Sequence, residues 1–128
     1  KLLRNYSIDQ IFIAPRKFQM PKDLIKQEDA TVDIPLKKVL ENLDILYVTR
    51  LQKERILGGE NLDYNYSITK ETLKDLKSTC AIMHPFPNVG EISEEIDEDP
   101  RAAYFRQMEN GLWIRVALLD YIFSFESK

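Results

Sequence analysis

Apolar and polar positions along this chain fall into two alternating regimes. Short apolar runs ended by Pro or by charge clusters predict buried strands, whereas apolar residues spaced three and four apart predict helices. "IDQIFIAP" (Ile8 to Pro15) is the first predicted strand, "ATVDI" (Ala30 to Ile34) the second, "DILYVTRL" (Asp44 to Leu51) the third, and "CAIMHPFP" (Cys80 to Pro87) the fourth with its exit. Between them, "MPKDLIKQED" places Pro near a helix start, where its missing N–H costs nothing. "PLKKVLENL" puts Leu36, Val39, Leu40 and Leu43 at helical spacing. "KETLKDLK" follows Thr69, a plausible N-cap, with Glu71 adding negative charge to the first turn; Thr72 stands where a capping box wants Glu or Gln, so no box is expected. "GGENLDYNYS" has no period and predicts a mobile loop. Asn110 and Gly111 are expected to break the chain before an amphipathic last helix, "LWIRVALLDYIFSF". That helix offers Leu112, Val116, Leu119 and Ile122 to a core, with Arg115 tying it down through an ion pair.

Strands joined by helices predict an α/β fold of three layers, a parallel sheet flanked by helices on both faces. Ligands in such sheets sit beyond the carboxyl ends of the strands. Two of those ends carry unusual residues, "TRLQKER" and "HPFPNVGEI".

Composition narrows the function classes. The 128 residues suit one compact domain, and 18 Lys plus Arg against 21 Asp plus Glu, net charge -3, give no reason to expect nucleic acid or an anionic membrane. Cys80 is the only cysteine, which excludes an internal disulfide and a cysteine zinc cluster and points to a reducing, cytoplasmic setting. The acidic run "EISEEIDEDP" lacks the spacing of a calcium loop and is expected to be a solvated face, so no metal is assigned. No GxGxxG, GxxxxGK, GxSxG or HExxH occurs. The chain opens on Lys1, and "KLLRNYS" reads as a helix in progress, as expected of a fragment.

Strand alternation puts Val48, Arg50 and Gln52 on one side of the third strand. A guanidinium fork beside an amide suits a carboxylate; a solvated strand end is the other reading of the same residues. In "HPFP" two prolines remove two donors and leave consecutive carbonyls able to accept from an amine or amide, and the Phe86–Pro87 bond is a candidate cis peptide. His84 reads as a general base, a ligand or, more commonly, a hydrogen-bonded structural residue, with no carboxylate or cysteine evident nearby in sequence.

Taken in order, "DILYVTRLQKER", "MHPFPNVGEI" and "DPRAAYFRQMENGLWIRVALL" resemble the carboxy-terminal half of aspartate carbamoyltransferase, and the similarity continues into "IFIAPRKFQMP". The sister family, ornithine carbamoyltransferase, typically has Cys where this chain has Pro85 and lacks the "TRLQKER" pattern. The resemblance implies a Rossmann-like aspartate-binding domain over residues 1–128, the carbamoyl-phosphate-binding domain lying outside this chain. It implies transfer of the carbamoyl group of carbamoyl phosphate to L-aspartate in pyrimidine biosynthesis, with no cofactor, by a homotrimer that sometimes carries regulatory chains. By the same resemblance Arg50, Gln52 and Pro85 would bind L-aspartate, Phe86 and Pro87 carbamoyl phosphate, and Lys53, Glu54 and Arg55 would begin a mobile closure loop. Two positions depart from the family: Asn88, where Arg is frequent, and Gly90, where an acidic or polar residue is usual. A non-enzymatic domain kept for assembly or regulation is the competing reading, and a nucleotide-binding module ranks below both for want of a Gly-rich turn.

Overall fold

The computed structural model describes residues 2–14, 18–21, 23, 36–50 and 67–126. The chain divides into two compact units, residues 1–41 and 42–128. In the first, a 3₁₀ turn at Leu2–Asn5 leads into residues without regular structure, and another 3₁₀ turn, Leu36–Lys38, precedes the buried Val39 and Leu40. The strand expected over Ile8–Pro15 is not formed: residues 8–14 carry no regular secondary structure, and Ile8 and Ile11 are exposed. A strand exists only through its ladder, and among the described residues none pairs with this run. The expected helix around Leu36–Leu43 is likewise a pair of short 3₁₀ turns, Leu36–Lys38 and Leu40–Asn42, which suits a segment too short to repay α-helix nucleation. The strand expected over Ala30–Ile34 lies outside the described residues. So do most of the helix expected at 20–29 and of the loop expected at 58–67.

The second unit is built on a parallel ladder. Strand β1 (Ile45–Tyr47) pairs with β2 (Ala81–Met83) in the register Ile45↔Ala81, Leu46↔Ile82, Tyr47↔Met83. The pairing extends at both ends, with the Ala81 N–H donating to the Asp44 carbonyl at 3.0 Å and the Val48 N–H to the Met83 carbonyl at 2.9 Å. The far side of β2 is also taken. The Ile82 N–H donates to the Arg101 carbonyl and the Ala103 N–H to the Ile82 carbonyl, each at 2.8 Å, across a parallel bridge to Ala102. β2 is therefore central, and Ile82 is wholly enclosed. Around it Leu46, Leu73, Leu76, Cys80, Ile92, Ile96 and Tyr104 are buried, each apolar side chain stabilising by about 1.5–3 kcal/mol. A parallel bridge between Ile68 and Ile92 joins two further segments. The class is α/β with a parallel sheet, as the alternation of patterns predicts.

The segment after Thr69 forms one 3₁₀ turn, Thr72–Asp75. Its entry is tied more tightly than the sequence suggests. The Thr72 N–H donates to the Thr69 hydroxyl at 3.3 Å and the Thr69 N–H to the Thr72 hydroxyl at 3.4 Å. Thr72 thus returns the bond that a Glu or Gln makes in a capping box.

The last helix, α1, runs from Tyr104 to Glu126 without interruption, so Asn110 and Gly111 do not break it. A single helical Gly costs about 1 kcal/mol, less than the gain from continuing a long helix hydrogen-bonded through that point. Tyr104 is buried and Gln107 and Gly111 are half-buried, at the spacing of one helix face; α1 touches β2 there. Beyond Gly111 the exposure changes character. Leu112, Val116, Leu119 and Ile122, expected in a core, are each 44–56% exposed in this chain. Arg115 is exposed and makes no ion pair among the described residues, against the expectation of a tie to the domain body. Among the described residues no helix is long and apolar enough to cross a membrane.

Candidate functional site

Parallel neighbours have their carboxyl ends side by side, so the β1–β2 pairing puts Thr49 and Arg50 beside the residues that leave β2. Beyond β1, exposure alternates: Tyr47 and Thr49 face solvent, Val48 and Arg50 are half-buried, and Leu46 before them is buried. Arg50 therefore continues the inward face of the strand. Gln52, Lys53, Glu54 and Arg55 lie outside the described residues.

Beyond β2 the chain enters the "HPFP" turn. The Phe86–Pro87 bond is cis, as expected, and Phe86 has φ 55°, a left-handed conformation that costs a bulky residue about 1–3 kcal/mol. Its ring stacks edge-on to His84 and Tyr104 and obliquely to Phe105, with centroids 5.6, 5.9 and 5.8 Å away. Pro85 and Pro87 are exposed. Pro85 and Pro87 have no N–H, so the turn presents three carbonyls against the single donor at Phe86. The mutual arrangement suits a ligand that combines a carboxylate, for the guanidinium, with amine or amide hydrogens, for the carbonyls.

His84 is 1% exposed, and its two ring nitrogens have different surroundings. Nδ1 accepts the Phe86 N–H at 2.9 Å and so carries no proton; Nε2–H faces Glu91 Oε2 at 3.8 Å, close enough for attraction but too far for a hydrogen bond. Burial pushes the imidazole below its ordinary value, and the Glu91 carboxylate pulls partly the other way. A depressed histidine is neutral in both states above about pH 6.5 and costs nothing there. As pH falls below that, the unfolded chain takes up a proton that the folded imidazole resists, so stability declines until the folded pKa is passed. His84 is the only histidine in the chain, so urea midpoints of the chain measured from pH 7.5 down to 5.5 should fall. A flat profile over that window would contradict the neutral buried ring.

Two residues beside His84, Glu91 and Gln107, are not among the candidates the sequence offers. Glu91, seven positions after His84, reaches it because Asn88 and Gly90 fold the chain back. Asn88 Oδ1 accepts from the Gly90 and Ile92 N–H groups at 3.2 and 3.1 Å, and Gly90 has φ 115°, which favours glycine. Glu91 Oε2 in turn accepts the Val89 N–H at 2.9 Å. Gln107, in the first turns of α1, accepts the His84 N–H on Oε1 at 3.0 Å and donates from Nε2 to the Tyr47 hydroxyl at 3.3 Å. One amide thereby ties the ends of β1 and β2 together. Asn-x-Gly was a legible turn signal; nothing local marked Gln107.

The acidic run is not simply a solvated face. Asp99 grips Arg101 through two bonds of 2.9 and 2.8 Å, Asp97 takes the Tyr104 hydroxyl at 2.6 Å, and Glu95 takes the Lys70 N–H at 2.9 Å. The Arg101 guanidinium holds the Asp99 carboxyl below the usual carboxylate range, and burial with the Asp97 contact pushes the Tyr104 phenol up. Among the described residues no group of His, Cys, Asp and Glu could hold a metal ion.

Residues 2–122 match the family described as "Aspartate/ornithine carbamoyltransferase, Asp/Orn binding domain". The multifunctional protein pyr1-3 of Dictyostelium discoideum is 40% identical over 96% of this chain and 6% of its own length. The aspartate carbamoyltransferase catalytic subunit of Bifidobacterium longum is 37% identical over 91% of this chain and 39% of its own. Aspartate transcarbamoylase of Trypanosoma cruzi, crystallised with carbamoyl aspartate and phosphate, superposes with a TM-score of 0.76 at 38% identity, covering 92% of this chain and 39% of that one. The chain thus spans well under half the length of each of these relatives.

Proposed function

Because the chain belongs to the aspartate/ornithine carbamoyltransferase family, we propose that residues 1–128 are the aspartate-binding half of an aspartate carbamoyltransferase. In the proposed reaction the aspartate amine forms a bond to the carbamoyl carbon and loses a proton. The carbon–oxygen bond to phosphate breaks, and phosphate leaves with the electron pair. The Trypanosoma cruzi relative holds that product pair, carbamoyl aspartate and phosphate. The observation that supports the reading is the parallel pairing of β1 and β2, which puts Arg50 and the residues of the "HPFP" turn beyond the carboxyl ends of neighbouring strands.

In this proposal Arg50 takes an aspartate carboxylate with Gln52 and Pro85 beside it. The carbonyls of Phe86 and Pro87 receive the carbamoyl amide and the attacking amine, and Lys53, Glu54 and Arg55 open a loop that closes over both. Pro85 rather than Cys at the turn supports the aspartate branch over the ornithine branch. In the same proposal a carbamoyl-phosphate domain outside residues 1–128 supplies the phosphate site, within a cytoplasmic homotrimer to which regulatory chains can attach. Catalysis would rest on orientation and on dipoles aimed at developing charge. The test is direct: the full-length polypeptide should form carbamoyl aspartate from carbamoyl phosphate and aspartate, and residues 1–128 alone should form none. Full-length protein without turnover, or turnover by this piece alone, would reject the assignment.

A further inference from the structure

The backbone of the "HPFP" turn offers one donor to hold it in place. Pro85 and Pro87 have no N–H, so the Phe86 N–H is the only hydrogen-bond donor in the backbone of residues 85–87. Whatever accepts that bond sets the rotation of the peptide planes on either side of it, and hence where their carbonyls point. The acceptor is His84 Nδ1, at 2.9 Å. The ring is itself immobilised. It is almost completely buried, the backbone N–H of the same residue is taken by Gln107 Oε1, and Nε2 faces a carboxylate that already holds the Val89 N–H. The imidazole thus stands inside the loop of residues 84–91, bonded to one side and facing a carboxylate anchored on the other. Phe86 needs such an anchor, since a left-handed non-glycine residue persists only where its surroundings over-determine it.

We propose that His84 is a positioning residue: its Nδ1 lone pair, by taking the Phe86 N–H, fixes the left-handed Phe86 and aims the carbonyls of Phe86 and Pro87 at the substrates. The proposal rests on the reading of that turn as the receiver of carbamoyl and amine groups. His84 itself touches neither substrate. Its action is through the backbone of the next two residues, so its loss should lower kcat for carbamoyl transfer more than it raises the KM for aspartate. Misaimed acceptors weaken interactions realised as the amine gives up its proton, whereas the Arg50 contact to the carboxylate is untouched.

Two substitutions separate this role from mere space-filling. In H84N the side-chain oxygen lies near the place of Nδ1 and can take the Phe86 N–H. In H84Q the amide reaches the place of Nε2 and can meet Glu91 but leaves the Phe86 N–H without its acceptor. In the full-length protein, kcat for H84Q should fall at least tenfold further than for H84N, with similar aspartate KM. A structural role alone would lower both variants alike, and equal losses in kcat, or losses confined to KM, would overturn the proposal. Absence of transfer by the unaltered full-length protein would overturn the reading of the turn, and the proposal with it; transfer with indistinguishable H84N and H84Q would overturn the proposal alone. Should either variant fail to fold, the tautomer decides. Nitrogen-15 NMR of the unaltered protein should find His84 protonated on Nε2 and bare on Nδ1 at neutral pH, and a proton on Nδ1 would refute the anchor.

Discussion

Arg50→Ala in the full-length protein should lower kcat/KM for aspartate by roughly 30-fold to a few thousand-fold, the equivalent of about 2–5 kcal/mol for truncating one member of a desolvated charge pair. Arg50 is half-buried on the inward face of β1's extension, so a carboxylate paired with it would be partly withdrawn from water. Arg50→Lys keeps the charge but not the planar fork, and should fall between Ala and the parent. Steady-state kinetics with aspartate varied at saturating carbamoyl phosphate decide the matter, with thermal midpoints recorded to exclude unfolding. Kinetics within twofold of the parent would remove Arg50 from the site.

Stability is concentrated at a different arginine. Arg101→Ala should cost about 2–4 kcal/mol of unfolding free energy, read from urea denaturation. The Arg101 and Asp99 side chains are only 16% and 14% exposed, so screening by water is limited. Beyond its two bonds to Asp99, the guanidinium donates to the carbonyls of Leu73 and Leu76 at 3.1 and 2.9 Å, closing the end of the Thr72–Asp75 turn. Truncation leaves a carboxylate and two carbonyls without that donor. Removing Asp99 as well should cost less than the sum of the single losses, because the charge stranded by the first change is gone. The same pair sets an acid limit. Asp99 has its pKa held down, so its contribution is complete above the ordinary carboxylate range, near pH 4, and is lost as pH falls through the folded value. Arg101→Ala should weaken that part of the pH dependence, leaving the share due to the residue 101 backbone N–H, which donates to Asp99 Oδ1 at 2.9 Å, and additive losses in the double variant would deny the coupling.

What could be read from the sequence was what neighbouring residues decide among themselves. β-branched and aromatic density marks β1, a short apolar run ended by Pro marks β2, and alternation groups Arg50 with Val48 on one side, the side the structure turns inward. Proline chemistry exposed the carbonyls of the turn. The misreadings came from relations that local pattern does not carry. "IDQIFIAP" has the composition of a strand without, among the described residues, a ladder to join. Asn110 and Gly111 have the composition of a stop, yet one glycine is a small deficit against a helix of 23 residues. Glu91 lies in the same motif as His84 but reaches it only after the chain has doubled back, and Gln107 reaches it from another element, which no short window along the sequence contains. The acidic run hid its inward-facing members because charge predicts exposure on average while Asp99 is paired.

The parallel ladder has a kinetic meaning as well. Ile45 meets Ala81 only after the whole intervening stretch has closed into a loop, and β2 then takes its other neighbour at Ala102 from a third place in the sequence. Contacts so far apart are costly to nucleate and rewarded late, so assembly of this sheet should limit the folding rate, while the local turns at Thr72–Asp75 and Glu94–Ile96 can form early. The entropy of closure rises only with the logarithm of length, about 0.6 kcal/mol for each doubling. Evolution can therefore lengthen the connection between the two strands cheaply, while the strands themselves keep their register.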